Sequence, residues 1–463
     1  MKIVLTHGYF LEEDPKEKLI MRPYPPLGIL YISAYLENNG FPNNVYDSTF
    51  NTIEGLKSFL LAERPDIIGI YTNLMTKLNV LKIISFVRDA AILSHTKIVL
   101  GGPEIRNHKE NFLRFGADVI VFGEGEDTML EIVNAYAIND NPDLHNLPGT
   151  AFLDEQENVI TNPERILMRD INQLPFPARN KINLQQYFDT WKKHHGTSMI
   201  NLNTMRGCPY SCKWCSRAVY GSSYRRRSPA LVANEIQYLK QNYDFDMIWF
   251  VDDVFTINHK WLREFVAEMQ ARQLQVPYEI ITRADRLTEE VVQLLKQSGC
   301  FRVWIGAESG SQKVIDAMDR RVKVDDVRKM IQLVKSYGIE AGTFIMLGYP
   351  GEEETDILET LHHLKTSNPD HYTITVAYPI KGTPLYAEVE NLFVEDLPWS
   401  SSTDRDIDFK RTYNRKYYDH AINWIHYEML FHRRKKNIKS LLLKVKSFNA
   451  RNKMRNERNK VAP

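Results

Sequence analysis

Short apolar, β-branched runs alternate with segments whose apolar positions recur at helical spacing, and this alternation occurs in two separate series along the 463 residues. In the first series, residues 3–6, 44–47, 66–71, 97–100 and 118–122 read as strands. Residues 27–39, 53–63, 78–93, 109–115 and 128–137 read as the helices between them. Five βα units predict a flavodoxin-like or Rossmann-like domain with a five-strand parallel sheet over residues 1–138. In such sheets ligands sit beyond the carboxyl ends of the strands, so the candidate binding residues are those of the turns there: Thr72 and Asn73, Gly101 and Gly102, Gly123 and Glu124.

Residues 139–195 read as a connector with a hairpin over 150–161, and Leu174-Pro175-Phe176-Pro177 enforces extended chain. The second series occupies residues 196–390. Strands are predicted at 199–204, 247–251, 278–282, 302–305, 342–347 and 371–376, and helices at 229–241, 261–273, 289–298, 311–318, 324–337 and 353–366. Six such units make a partial (β/α)6 barrel of the TIM type, whose chemistry gathers at the C-terminal ends of the strands. Residues 391–463 form a basic, helical C-terminal region, so the fold class is α/β with two sheets and a helical tail.

Composition changes this picture in two places. With 43% hydrophobic and 25% charged residues the chain is that of a globular protein of two or three domains. Its formal charge of +1 hides an imbalance: from Asp404 onward there are 17 Lys+Arg against 6 Asp+Glu, a local charge of +11 that leaves −10 for the rest. A global basic patch for nucleic acid is therefore not expected. Within the tail, Ile438, Leu441, Leu442, Val445 and Phe448 recur at helical spacing, with Lys439, Lys444 and Lys446 between them. This amphipathic helix has two readings: an apolar stripe packed on the barrel with its basic face in water, or a face resting on an anionic membrane. There is neither a secretory signal nor an apolar run long enough to cross a bilayer, so the expected location is the cytoplasm, with peripheral membrane contact as the second reading of the tail.

Three of the four cysteines crowd into Arg206-Gly207-Cys208-Pro209-Tyr210-Ser211-Cys212-Lys213-Trp214-Cys215, a C-x3-C-x2-C spacing just past the first barrel strand. Three thiolates on one short loop can hold three irons of a cubane and leave the fourth open. A zinc site would want a fourth ligand, and the remaining cysteine, Cys300, is expected to be buried at the opposite end of the barrel. Arg225-Arg226-Arg227 reads as a solvated charge run or as contacts to an anionic ligand, and Ser228-Pro229 as a helix start.

The cysteine spacing, its place after the first barrel strand and Trp214 before the last cysteine resemble the radical S-adenosylmethionine (SAM) superfamily. Together with Pro25-Pro26-Leu27-Gly28, Gly101-Gly102-Pro103 and Leu174 to Arg179, the whole arrangement is similar to members with an N-terminal cobalamin-binding domain, in particular the subgroup of the anaerobic magnesium-protoporphyrin ester cyclase and the hopanoid methylases. The resemblance implies a 4Fe-4S cluster on Cys208, Cys212 and Cys215, SAM chelated to the open iron, and cobalamin in the N-terminal domain. It also implies that Asp252, Asp253, Arg283, Glu308 and Ser309 face SAM. For Arg283 an internal salt bridge to Asp285 or Glu308 is the competing reading. The family's D-x-H-x-x-G motif is missing around His7, which predicts cobalamin without a protein histidine on cobalt.

The expected function is SAM cleavage to functionalise an unactivated carbon of a small-molecule or lipid-like substrate, with methyl transfer from cobalamin and a reductant such as flavodoxin or ferredoxin. The alternatives are an oxidative cyclisation or rearrangement without methyl transfer and, from another class, a non-catalytic iron-sulfur or zinc redox sensor.

Overall fold

The computed structural model describes residues 1–434 and 438–458. The chain divides into two compact units, one of residues 1–209, 216–249 and 398–403, the other of residues 210–215, 250–397 and 404–463.

The first unit is built on β1 (Ile3–His7), β2 (Asn44–Tyr46), β3 (Ile67–Tyr71), β4 (Lys97–Gly101) and β5 (Val119–Val121), which are mutually parallel in the order β2-β1-β3-β4-β5. Alternate side chains enter opposite cores, as strand geometry requires. Ile3, Leu5, Ile67, Val99 and Val119 pack with Ile29, Leu36, Met129, Ile132 and Val133 of the helices Leu27–Asn38 and Glu126–Ile138. Val4, Ile68, Ile70, Ile98 and Ile120 pack with Leu56, Leu60, Val80, Ile84 and Phe112 of the helices Ile53–Glu63, Lys77–Asp89 and Lys109–Phe115.

The sheet has seven strands rather than five. The hairpin β6 (Thr150–Leu153) and β7 (Val159–Thr161) joins it antiparallel to β5, with Val119 opposite Phe152. The reason is that Ala151 is buried in one core and Phe152 in the other, so the hairpin continues both. The connector also holds a helix that the sequence reading passed over, Leu184–His195, which starts on Asn183 and buries Leu184, Tyr187, Phe188 and Trp191. That set is the i, i+3, i+4, i+7 signature. Its Tyr187 hydroxyl is 2.7 Å from Asp47 Oδ2 and 2.8 Å from Thr49 Oγ1.

Further strands of this unit are β8 (Met199–Leu202), the short antiparallel pair β9 (Met205–Arg206) and β10 (Arg225–Arg226), and β11 (Met247–Phe250), most of which belongs here. The helix Pro229–Asn242 starts with the Ser228 hydroxyl accepting from Leu231 N and with proline in its first turn. The arginines before it are not solvated. Arg227 and Arg179 are buried and flank the fully buried Glu235: Arg179 Nη1 lies 2.6 Å from Oε1 and Arg227 Nη1 2.5 Å from Oε2, while Arg179 Nη2 donates to Asn201 O. Burial alone would push the Glu235 carboxyl up, and Arg227 and Arg179 reverse this and hold it below the usual carboxylate range.

In the second unit β12 (Tyr278–Thr282), β13 (Cys300–Glu308), β14 (Glu340–Leu347) and β15 (His371–Val376) are parallel neighbours in that order. The tail consists of the helices Arg415–Arg433 and Ile438–Glu457, packed on each other. The face of the last helix that is buried is Leu443, Ser447, Ala450 and Met454. Small residues allow this close approach, and Glu428 fixes it by accepting from Ser447, Lys444 and Lys365. Burial would raise the Glu428 carboxyl; these donors bring it down to about 2. The stripe expected to pack on the barrel is instead exposed: Leu441 at 66%, Leu442 at 60%, Val445 at 51% and Phe448 at 63%. The side chains of Ile438 and Lys439 lie outside the described residues. Among the described residues no helix is long and apolar enough to cross a membrane.

Glu235 supplies a stability prediction. Glu235→Gln leaves two buried guanidiniums without a counter-charge and is expected to cost about 3–5 kcal/mol. The urea midpoint of the apo protein should fall clearly for this variant and stay in place for Glu290→Gln, whose partner Arg263 is a surface one. Equal midpoints for the two variants would refute the structural weight given to Glu235.

Candidate cofactor sites

The first unit contains a cavity of about 500 Å³ at the carboxyl ends of its parallel strands. Leu5, Gly69, Val99 and Val121 of β1, β3, β4 and β5 form one wall; Tyr24, the start of the helix Leu27–Asn38 and Tyr220 form another. Asn73, Gly101, Gly102, Gly123 and Glu124, five of the six turn residues singled out in the sequence, line it. The sixth, Thr72, is fully buried next to them, and its Oγ1 has no hydrogen-bond partner. Gly102 is required on two counts: its φ is +113°, and a Cβ would stand 2.3 Å from Thr72 O. Asn73 is partly committed to its own turn, its Oδ1 accepting from Met75 N and Thr76 N.

Glu124 is fully committed. It accepts from Arg206 Nη1 at 3.0 Å, Arg225 Nη1 at 2.6 Å and Met168 N at 2.9 Å. Arg206 also bonds both oxygens of Glu126 and lies against the rings of Tyr31 and Tyr220. Burial would raise the Glu126 carboxyl, but Arg206 and Arg225 bring it below its ordinary range. Glu124 therefore holds the wall of the cavity through its ion pairs to Arg206 and Arg225.

No histidine lines the cavity among the described residues. His7 is buried with both ring nitrogens engaged: Nδ1 accepts from Tyr9 N at 3.1 Å, and Nε2 is 3.0 Å from Asp47 Oδ1. An apolar slot with a glycine rim and an orphan buried hydroxyl fits a portion of a corrinoid of drug-like size.

Arg206-Gly207 leads into the cysteine loop. Gly207 has φ +84°, and a Cβ there would stand 2.3 Å from Ser223 O, so only glycine lets the chain through. All three cysteines are free thiols: Cys208 half-buried, Cys212 buried, Cys215 exposed. Residues 210–215 are seated in the second unit. Ser211 Oγ donates to Asp319 at 2.7 Å, Lys213 N to Met318 O, and Leu385 N to Lys213 O, while Trp214 packs against Val314, Met318, Tyr349 and Leu385. As a donor set, three free thiols within eight residues fit an iron-sulfur cubane. Cys300 is buried at the start of β13 and donates to Arg302 O at 3.4 Å; burial pushes its thiol up. The nine-residue strand puts it roughly 26 Å from the carboxyl end at Glu308.

The residues expected to face SAM lie at or just after strand ends. Asp252 is buried and Asp253 accessible after β11; partial desolvation first, then the charge of Asp252, raise the Asp253 carboxyl. Arg283 follows β12. Its Nε donates to Asp285 at 2.8 Å and its Nη2 to Arg320 O at 2.8 Å, its Nη1 points at Cys212 Sγ, and the guanidinium stacks 3.8 Å over Tyr210. The salt bridge to Asp285 is thus present. Glu308 ends β13 in a left-handed conformation, φ +64°, which costs a non-glycine residue about 1–3 kcal/mol and concentrates at functional sites. Burial raises its carboxyl against the opposing charges of Arg320 and Arg283. Ser309 closes the turn instead of reaching outward, with its Oγ 3.2 Å from Thr360 Oγ1 and accepting from Ser311 N. After β14, Gly348 N donates to Glu352 at 2.5 Å, and burial pushes that carboxyl up to about 8. Sequence reasoning missed Arg320, Tyr220 and the partners of Arg206, since no local spacing announces them.

Comparison with known proteins bears on these sites directly. Residues 202–364 match the radical SAM superfamily and residues 21–133 the B12 binding domain. The chain is 27% identical over 405 residues, 85% of each chain, to an uncharacterized methyltransferase of Pyrococcus horikoshii. It is 26% identical over 404 residues to the anaerobic magnesium-protoporphyrin IX monomethyl ester cyclase of Cereibacter sphaeroides, covering 84% of this chain and 64% of that one. Among solved structures, the fold is shared with the radical SAM methyltransferase TsrM of Kitasatospora setae, at a TM-score of 0.71 and 18% identity over 88% of this chain and 79% of that one. It is also shared with the cobalamin-dependent radical SAM enzyme OxsB, at 0.74 and 17% over 98% and 72%. The three-cysteine loop thus lies in the segment that matches the radical SAM superfamily, and the glycine-rimmed cavity takes most of its lining from the segment that matches the B12 binding domain.

Proposed function

We propose that the chain is a cobalamin-dependent methyltransferase acting on an unactivated carbon of a small-molecule or lipid-like substrate. One observation carries the reading: the same chain holds a C-x3-C-x2-C loop of free thiols and a cavity at the strand ends of a B12-binding domain. When bound, the 4Fe-4S cluster, SAM and cobalamin supply the one-electron and methyl-transfer chemistry. Cys208, Cys212 and Cys215 hold three irons and leave the fourth open. Asp252 and Asp253 face the amino end of SAM, Arg283 stands on its carboxylate side, and Glu308 and Ser309 shape the turn beside it. Asn73, Gly101, Gly102 and Gly123 receive the corrinoid, with Thr72 as a hydroxyl donor and Glu124 as the residue that holds their wall. The reductant is an external one-electron donor of the flavodoxin or ferredoxin kind. The cyclase of Cereibacter sphaeroides, at nearly the same identity as the methyltransferase relative, supports a second reading in which the same cofactors close a ring without methyl transfer.

We further propose that the exposed stripe of the last helix rests against an anionic membrane surface. Leu441, Leu442, Val445 and Phe448 face away from the packed side. At about 100° per residue, Lys446 and Lys453 fall on one rim of the stripe and Lys444, Arg451 and Arg455 on the other, the arrangement of an interfacial helix. The basic tail supplies the matching charge.

Anaerobic reconstitution should yield four irons per chain. Cys208→Ala, Cys212→Ala and Cys215→Ala should each abolish SAM cleavage, whereas Cys300→Ser should keep its iron; loss of the cluster in Cys300→Ser would overturn the ligand assignment. EPR of the cob(II)alamin-loaded protein should show no nitrogen superhyperfine splitting, and a splitting that vanishes in His7→Ala would show that His7 reaches cobalt after all. Full-length protein should sediment with anionic vesicles at low salt and Leu441→Glu/Phe448→Glu should not; if both stay in the supernatant, the membrane proposal is wrong.

A further inference from the structure

The neighbourhood of Cys212 contains more positive charge than a neutral thiol calls for. Cys212 is 5% exposed, and two guanidiniums, also buried, are directed at its sulfur: Arg320 Nη1 at 3.6 Å and Arg283 Nη1 at 3.9 Å. Each is fixed by independent contacts. Arg320 Nη2 donates to Gly306 O at 2.9 Å and lies 3.6 Å from Glu308 Oε1. Arg283 donates to Asp285 Oδ1 and to Arg320 O and stacks on Tyr210. The two therefore form one unit, since the backbone of Arg320 accepts from Arg283 while both heads aim at the same atom. Neither guanidinium is held by a bidentate carboxylate, the usual way to satisfy a buried arginine.

A thiolate that ligates iron retains lone pairs, and cationic N–H donors to such a sulfur favour the cluster state with more negative charge. Uptake of one electron from the external reductant adds one negative charge to the cluster and its thiolates; no proton moves and no bond to carbon is involved in this step. Donors at Cys212 lower the free energy of that reduced state and raise the reduction potential. Both arginines are buried in a medium of low effective dielectric, where a charge a few ångströms from the sulfur is weakly screened.

We propose that Arg320, with Arg283, is a positioning residue that donates N–H···S bonds to the cluster thiolate of Cys212 and raises the reduction potential of the cluster. The inference rests on the cluster assignment above.

The test is an EPR-monitored redox titration of the anaerobically reconstituted full chain, comparing wild type with Arg320→Lys, Arg320→Gln and Arg283→Gln at equal iron content. The midpoint should move to more negative values in both Gln variants, and less in Arg320→Lys, which keeps the charge and loses the fork. Midpoints that coincide with wild type in cluster-loaded Gln variants would overturn the proposal. A second measurement needs no variant. Wild-type protein labelled with 15N in the arginine guanidinium should show weak 15N coupling to the reduced cluster by pulsed EPR, and its absence would equally sink the idea. A wild-type chain that takes up no cluster refutes the cluster assignment itself, whereas a normal cluster with unmoved potential and no 15N coupling refutes this inference alone.

Discussion

The first unit is organised around one buried cation, Arg206. Its guanidinium is 3% exposed and sits between Glu124 and Glu126, two carboxylates of the turn that follows β5. Charges taken this far out of water are tolerable only when paired and hydrogen-bonded throughout, and Arg206 meets that condition with both carboxylates and the faces of Tyr31 and Tyr220. The consequence is geometric. Glu124 and Glu126 lie in the turn that walls the cavity, and Arg206 lies two residues before the first cysteine, with Gly207 between them in a conformation only glycine takes easily. One ion-pair network thus sets both the shape of this cavity wall and the point from which the cysteine loop departs.

Much of this was legible in the sequence, and the remainder divides by physical cause. The central strands of the first sheet showed because they are buried on both faces and read as apolar runs, and the cysteine loop showed because its three cysteines are close in sequence. For Arg225, Arg226 and Arg227 neither a solvated run nor contacts to an anionic ligand anticipated these partners: Glu124 lies 101 residues before Arg225, and Glu235 is shared by Arg227 with the distant Arg179. The helix Leu184–His195 carried its apolar signature openly, but the prolines just before it biased the reading toward extended chain. The hairpin was visible, but its attachment to β5 was not, since pairing across residues 119 and 152 depends on which faces are buried.

The tail shows a subtler failure. The apolar positions that caught the eye, Leu441, Leu442, Val445 and Phe448, are those left in water, while the packed face is made of Leu443, Ser447, Ala450 and Met454. Periodicity identifies apolar stripes but not which stripe is used. Here the small residues and the buried Glu428, whose donors include Ser447 and Lys444, decided the orientation of the helix.

His7, the histidine nearest in sequence to where the D-x-H-x-x-G motif would lie, is engaged within the first sheet. Nδ1 accepts from the Tyr9 amide, and Nε2 lies 3.0 Å from Asp47 Oδ1 and 3.3 Å from the Ser48 amide nitrogen. Asp47 is in turn held by the Tyr187 hydroxyl and the Thr49 amide, contacts that with His7 keep its carboxyl below the usual range in spite of burial. Any rotation of the ring would give up the Tyr9 or the Asp47 contact, and losing the latter leaves a half-buried carboxylate with one partner fewer. The histidine at the end of β1 is therefore bound into the fold of the sheet, and the described lining of the cavity consists mainly of glycine, tyrosine and aliphatic side chains.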